Sequence, residues 1–309
     1  MRQTGNLEWR TAAGSFAVTA EVTPPLSASA ETLLAKATPL KGLADAVNVT
    51  DAAGARVALS SFAAAAILAA DGIEPVLQVT CRDRNRIALA GELIGAGALG
   101  IPNILVLHGD SPEGGDMPDA KPVYELDSRG VMAMARQMRD EGTLSSGREI
   151  KPPPRLFIGG ADVPTDPPSG WQPKSLQAKA EAGADFVQTQ FCFDVAMARR
   201  YLSALGDFGL TDKLRILIGV GPIASARSAR WMDESLHGVN VPAAFIERLE
   251  RAADPAAEGR KLCVELIQAL REIPGCAGVH IMAPLQGSEA IAAVIEESGV
   301  LKERAVPAS

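Results

Sequence analysis

Glu21 sits at the end of a short apolar run, with only Val22 between it and Thr23-Pro24-Pro25. In that run Phe16, Val18, Ala20 and Val22 alternate with Ala17, Thr19 and Glu21, and strand residues of the same parity share a face. If the apolar face packs against helices, Glu21 points inward, where a carboxyl is costly unless it is solvated, paired or used. Desolvation disfavours the charged form of a carboxyl, which suits a general acid. The same alternation turns Asn48 and Thr50, Gln78 and Thr80, Gln188 and Gln190, and His280 with Met282 inward from other runs. An apolar core would not select amides and an imidazole, because each must be hydrogen-bonded. Together they fit a polar, planar ligand with many edge donors and acceptors, such as a pterin or a flavin. A further run leads into His108-Gly109-Asp110 and a second carboxylate.

Eight such runs recur, at residues 16–22, 46–50, 75–80, 103–108, 155–159, 184–190, 214–220 and 278–282, separated by helix-compatible stretches. Strand alternating with helix is the mark of βαβ units and a parallel sheet. Eight units predict an α/β fold, a (β/α)8 TIM barrel, with its chemistry at the C-terminal ends of the strands. Helices are expected over about 29–43, 60–70 and 84–99. Residues 223–270 hold more helix than one unit needs, with a helix start at Pro242, and read as an extra helical insertion before the last strand. The whole of 1–309 reads as a single barrel domain, with residues 1–14 as a loose arm. Two long connections, 109–128 and 142–154, break the short-loop pattern. Gly95-Ala-Gly97-Ala-Leu-Gly100 matches GxGxxG, but it ends a helix and precedes a strand, the reverse of a dinucleotide-binding turn.

The chain has 309 residues, 47% hydrophobic and 22% charged, a globular composition. A net charge of −7 argues against nucleic-acid partners. No apolar run reaches the ~18–20 residues of a membrane span, and the polar first ten residues lack a signal-peptide core, so a cytoplasmic protein is expected. Cys81, Cys192, Cys263 and Cys276 form no CxxC pair, HExxH is absent, and no metal is expected. No GxSxG elbow supports a serine hydrolase.

Taken in order, these segments resemble the methylenetetrahydrofolate reductase family: Thr19-Ala-Glu21-Val-Thr-Pro24-Pro25, Val47-Asn-Val-Thr50, Gln78-Val-Thr80-Cys81, Leu107-His108-Gly109-Asp110, Lys179-Ala-Glu-Ala-Gly-Ala-Asp185, Gln188-Thr-Gln190-Phe-Cys-Phe-Asp194 and Gly219-Val-Gly-Pro222. Thr80-Cys-Arg-Asp-Arg-Asn-Arg86 and Gly278-Val-His-Ile-Met-Ala283 resemble its acetogen-type branch. The resemblance implies an oxidoreductase of one-carbon metabolism that reduces 5,10-methylenetetrahydrofolate to 5-methyltetrahydrofolate. Its electrons would come from NADH or NADPH through bound FAD or FMN, with flavin-free hydride transfer as a variant. By that resemblance Glu21 would be the acid and Asp110 would stabilise the cationic iminium form of the substrate. Gln190, Gln188, Asn48 and His280 would contact the folate. Thr50, Gln78, Thr80, His108, Gly109, Asp110 and Lys179 would line the cofactor. The chain departs from the family's pattern at Gln78, where a histidine is usual, and at His108, where an arginine is usual. A homo-oligomer, or a heteromer with an accessory subunit, is expected. A pterin-binding folate/corrinoid methyltransferase is the competing reading, and a subunit active only beside its partner is a third.

Overall fold

The computed structural model describes residues 5–284 and 286–303. The strands are β1 Ala17–Val22, β2 Ala46–Val49, β3 Pro75–Thr80, β4 Asn103–Leu107, β5 Phe157–Asp162, β6 Phe186–Phe191, β7 Arg215–Val220 and β8 Cys276–Ile281. Neighbours pair in parallel in sequence order, and β8 closes on β1. This is the (β/α)8 barrel expected from the alternation. Parallel neighbours need long crossovers, and helices supply them: α1 Asn6–Ala12 leads the chain, then come α2 Ala30–Ala37, α3 Ser61–Ala70, α4 Arg86–Ala98, α5 Ser128–Asp140, α6 Lys174–Ala182, α7 Val195–Asp207, α8 Leu210–Lys213, α9 Ala226–Ser235, α10 Ala243–Arg251, α11 Pro255–Arg271 and α12 Ser288–Ser298. None is long and apolar enough to cross a membrane.

Local chemistry sets the helix ends. Ser29, Ser60, Asn85, Asp127, Asp194 and Asp254 each accept a backbone N–H of the helix they open, satisfying donors that have no partner within the helix. The helix expected over 29–43 stops at Ala37 and gives way to a 3₁₀ turn around Pro39. The expected insertion is present as α9, α10 and α11, with Pro242 capping α10. The GxGxxG segment closes α4 before β4. Its first two glycines serve packing, since a Cβ at Gly95 would lie 2.8 Å from the Phe62 ring and one at Gly97 2.8 Å from Pro154, and Gly100 makes the turn with φ +69°.

Two expectations need correction. The fifth strand runs from Phe157 to Asp162 instead of ending at Gly159. The leading segment is not a loose arm either, although residues 1–4 of it lie outside the described residues. The backbone amides of Asn6 and Leu7 donate to the Glu74 carboxylate at 2.5 and 3.0 Å, and Arg10 pairs with Asp45 at 3.1 Å. Burial pushes the Glu74 carboxyl above its ordinary range, against those amides and Asn103, which hold it down. Leu7 is fully buried and closes the N-terminal end of the barrel, packing on Ala17, Ala46, Val76, Leu105, Phe157, Phe186 and Leu217.

Inside the barrel this apolar layer is followed by a polar one. Thr19, Asn48, Gln188 and His280 are all buried where such barrels ordinarily stack branched apolar side chains. Leu7→Ala should cost about 3 kcal/mol of stability in urea denaturation, as for other fully buried leucines. A loss below about 0.5 kcal/mol, as at an exposed site, would restore the loose arm.

Candidate active site

The polar layer is one hydrogen-bonded chain. Register places Thr19 beside His280 and Glu21 beside Asn48, so alternate residues of adjacent strands meet in the interior. Asn48 and Gln188 exchange amide hydrogen bonds, Asn48 Nδ2 to Gln188 Oε1 at 2.6 Å and Gln188 Nε2 to Asn48 Oδ1 at 3.0 Å. Gln188 Nε2 also donates to Thr19 Oγ1 at 2.9 Å. Thr19 Oγ1 lies 3.0 Å from His280 Nδ1 and 3.4 Å from the Val279 carbonyl. The shorter contact favours donation of the Thr19 hydroxyl to Nδ1. In the neutral ring the proton then sits on Nε2. That nitrogen is 3.6 Å from Glu21 Oε2, which also accepts from Gln78 Nε2 at 3.1 Å. The Glu21 side chain keeps 25% of its exposure, so it is held from below and open from above.

Above this chain the barrel mouth forms a cavity of about 540 Å³. Glu21, Gln78, Gln188, Gln190, His280, Thr50 and Lys179 all line it, with Leu105, Leu107 and Met282 as apolar wall. Gln190 Oε1 accepts the Phe191 amide at 3.0 Å, and its NH₂ group has no partner among the described residues. Thr50 Oγ1 is buried without a partner among the described residues. Lys179 Nζ donates to the Ala161 carbonyl and stands 3.5 Å from Asp162 Oδ1. Asp162 Oδ2 accepts the Tyr201 hydroxyl at 2.6 Å. Burial, and then the Asp162 charge, raise the Tyr201 phenol far above its ordinary value, so it stays a donor.

The remaining expected residues stand elsewhere. Asn48 is fully buried one level below the mouth, and its amide is committed to Gln188. Thr80 turns its hydroxyl to Asp51 at 2.9 Å. His108 is exposed and stacks on Tyr124 with ring centroids 4.5 Å apart. Gly109 turns the chain with φ +95°, and the Asp110 carboxylate that follows accepts the Gly54 amide at 2.7 Å. Asp110 is thus at the same end of the barrel as Glu21 and Gln190, but it faces the loop after β2 and does not line the mouth.

Several working residues escaped the sequence reading. Asp51 collects the Thr80 amide and hydroxyl, the Ser61 hydroxyl and the Arg84 guanidinium, tying β2 to β3 at the rim. Arg84 also reaches Glu92 at 2.8 Å. Asp51 directly follows Thr50 at a strand's C-terminal end, a position that could have flagged it. Asp162 was hidden by ending the fifth strand at Gly159. Tyr201 lies on α7 and carries no local signal.

The Methylenetetrahydrofolate reductase family profile matches residues 6–299. The chain belongs to the methylenetetrahydrofolate reductase family. Among relatives, a "Probable methylenetetrahydrofolate reductase (NADPH)" of Caenorhabditis elegans is 28% identical over 235 residues, 73% of this chain and 32% of that protein. "Methylenetetrahydrofolate reductase 1" of Schizosaccharomyces pombe is 25% identical over 250 residues, 76% of this chain and 37% of that protein. The chain therefore spans about a third of the length of these relatives. Among solved structures, a Clostridium thermocellum protein described as binding two copies of 5-methyl-5,6,7,8-tetrahydrofolic acid superposes with a TM-score of 0.62 at 15% identity, covering 96% of this chain and 99% of its own. EDTA monooxygenase from Chelativorans superposes with a TM-score of 0.59 at 11% identity, covering 94% of each chain. Both likenesses are of fold.

In this reductase-family barrel the Asn48–Gln188 exchange makes a sharp stability test. Gln188→Leu strands the buried Asn48 amide and should cost about 2 kcal/mol, whereas Asn48→Leu combined with Gln188→Leu should recover most of that loss. A double-variant loss equal to the sum of the Gln188→Leu and Asn48→Leu losses in chemical denaturation would show that the pair is not coupled.

Proposed function

We propose that the chain reduces 5,10-methylenetetrahydrofolate to 5-methyltetrahydrofolate with electrons from NADH or NADPH. Family membership supports the reaction class. The observation that carries the assignment to this site is Glu21, a half-buried carboxyl at the mouth, held by Gln78 and His280, with Gln190, whose NH₂ group has no partner among the described residues, lining the same cavity. Glu21 also lines a second cavity of about 790 Å³ between α2 and the segment after β8. It thus stands where the two spaces adjoin. The pterin occupies the mouth, with Gln190 on its edge, and the aminobenzoyl tail leads into the neighbouring groove.

Reduction needs the methylene carbon to leave N10 and become an iminium on N5. Glu21, protonated, delivers its proton to N10 as that bond breaks. The resulting carboxylate is close to the cationic iminium, and its charge favours that form. His280 Nε2 steadies the carboxylate from behind through the Thr19–Gln188–Asn48 chain. Leu105, Leu107 and Met282 keep the reacting carbon against an apolar wall, which limits water at the hydride step.

The mouth also fits a flavin ring. Thr50, whose buried Oγ1 has no partner among the described residues, lines it, and the apolar wall matches the ring's faces. Thr50 and Gln78 would hold the ring edge, and Lys179, steadied by Asp162, the phosphate side. When bound, a flavin would accept hydride from the nicotinamide and pass it to the folate carbon.

In anaerobic half-reactions Glu21→Gln should slow folate reduction about 10²–10⁴-fold while NAD(P)H oxidation keeps its rate. Folate reduction within about threefold of wild type would remove Glu21 from the acid role. Lys179→Met should lower the flavin retained per protein, read from its visible absorbance, by about tenfold. A wild-type protein that is colourless and binds no added flavin would leave direct transfer from the nicotinamide.

A further inference from the structure

At the opposite end of the barrel from Glu21, a cavity of about 430 Å³ opens between α1, the starts of β7 and β8, and the end of α11. Its described lining carries three guanidinium groups, Arg10, Arg215 and Arg271, and no carboxylate. That concentration of positive charge stands out in a chain of net charge −7. Arg10 and Arg271 sit in the last turns of α1 and α11, where cations complement the helix dipole. Arg10 also has Asp45 at 3.1 Å, and Arg271 has the largely exposed Glu272 at 3.7 Å. Neither reason applies to Arg215. It opens β7, is half-buried, and its guanidinium has no hydrogen-bonding or ion-pair partner among the described residues. The parity that sends Leu217 into the barrel floor turns Arg215 toward the same end. Ser15 and Thr211 add hydroxyl donors to the wall.

We propose that this cavity is a binding site for a small, multiply charged oxyanion, remote from the barrel mouth. Guanidinium groups match the paired oxygens of phosphate and carboxylate alike. A concave site lined by one sign of charge concentrates the opposite one. Such an anion would bridge α1, β7 and α11 and so fasten the helix that closes the barrel floor. Because it contacts only the folded chain, binding would raise the melting temperature, and the rise would continue with the logarithm of the free anion concentration above Kd.

The test is titration calorimetry on the full chain with inorganic pyrophosphate, and separately with citrate, at ionic strength matched by sodium chloride. Saturable one-site binding is expected, weakened about tenfold by Arg215→Gln and less by Arg215→Lys. Tighter binding of pyrophosphate assigns the site to phosphate esters, and tighter binding of citrate to polycarboxylates. Should Arg215→Gln fail to fold, Arg271→Gln carries the same expectation of weakened binding. Absence of saturable binding for both anions would overturn the proposal. So would affinities unchanged in the folded Arg215 or Arg271 variants.

Discussion

A carboxyl group inside a closed barrel must be met by partners, because a buried charge or unpaired polar atom costs several kcal/mol. Much of the interior of this chain answers that requirement for Glu21. Gln78 and His280 meet its Oε2 directly. Thr19 orients His280, Gln188 orients Thr19, and Asn48 completes Gln188 by returning its amide hydrogen bond. Each member satisfies the next, so a layer that would be ruinous if half-paired becomes rigid when fully paired. The cost of that layer is volume that ordinary barrels fill with branched apolar side chains.

The ends of the barrel compensate. Below the polar layer, the stacked rings of Phe157 and Phe186 lie 4.9 Å apart, and Leu7 seals the floor. A Cβ at Gly159 would lie 2.3 Å from the Phe186 ring, so the glycine is the space the ring occupies. Above it, Asp51 ties the ends of β2 and β3, and Asp110 and Asp116 tie the loops after β2 and β4 through the Gly54 and Val57 amides. The rim on that side is therefore braced by carboxylate-to-backbone hydrogen bonds. On the other side, Asp162 and Tyr201 brace Lys179. Glu21 stands between the two halves.

Period-two alternation made the interior legible. It turned Glu21, Gln78, Gln190 and His280 inward, and all four line the mouth. It could not say how deep each lies, so Asn48 read as a ligand contact although it sits one level down. Rim loops have no period, and there the sequence was silent. Asp110 sits beside the mouth in the chain, yet its direction depends on the positive φ of Gly109 and on an amide 56 residues away. The fifth run read as ending at Gly159, because the glycine pair Gly159-Gly160 interrupts its apolar pattern inside the strand, and that concealed Asp162. Residues 6–12 read as part of a loose arm, because what holds them is a buried leucine, the Arg10–Asp45 pair and the carboxylate of Glu74, 67 residues beyond Leu7.

The most direct test of the central claim is a crystal structure of the full chain with 5-methyltetrahydrofolate bound. The expected result is a Glu21 carboxylate oxygen within about 2.6–3.2 Å of N10, with the Gln190 amide on the pterin edge and the Thr19–His280 contact intact. A folate seated with N10 turned away from Glu21, or bound outside the mouth, would contradict it.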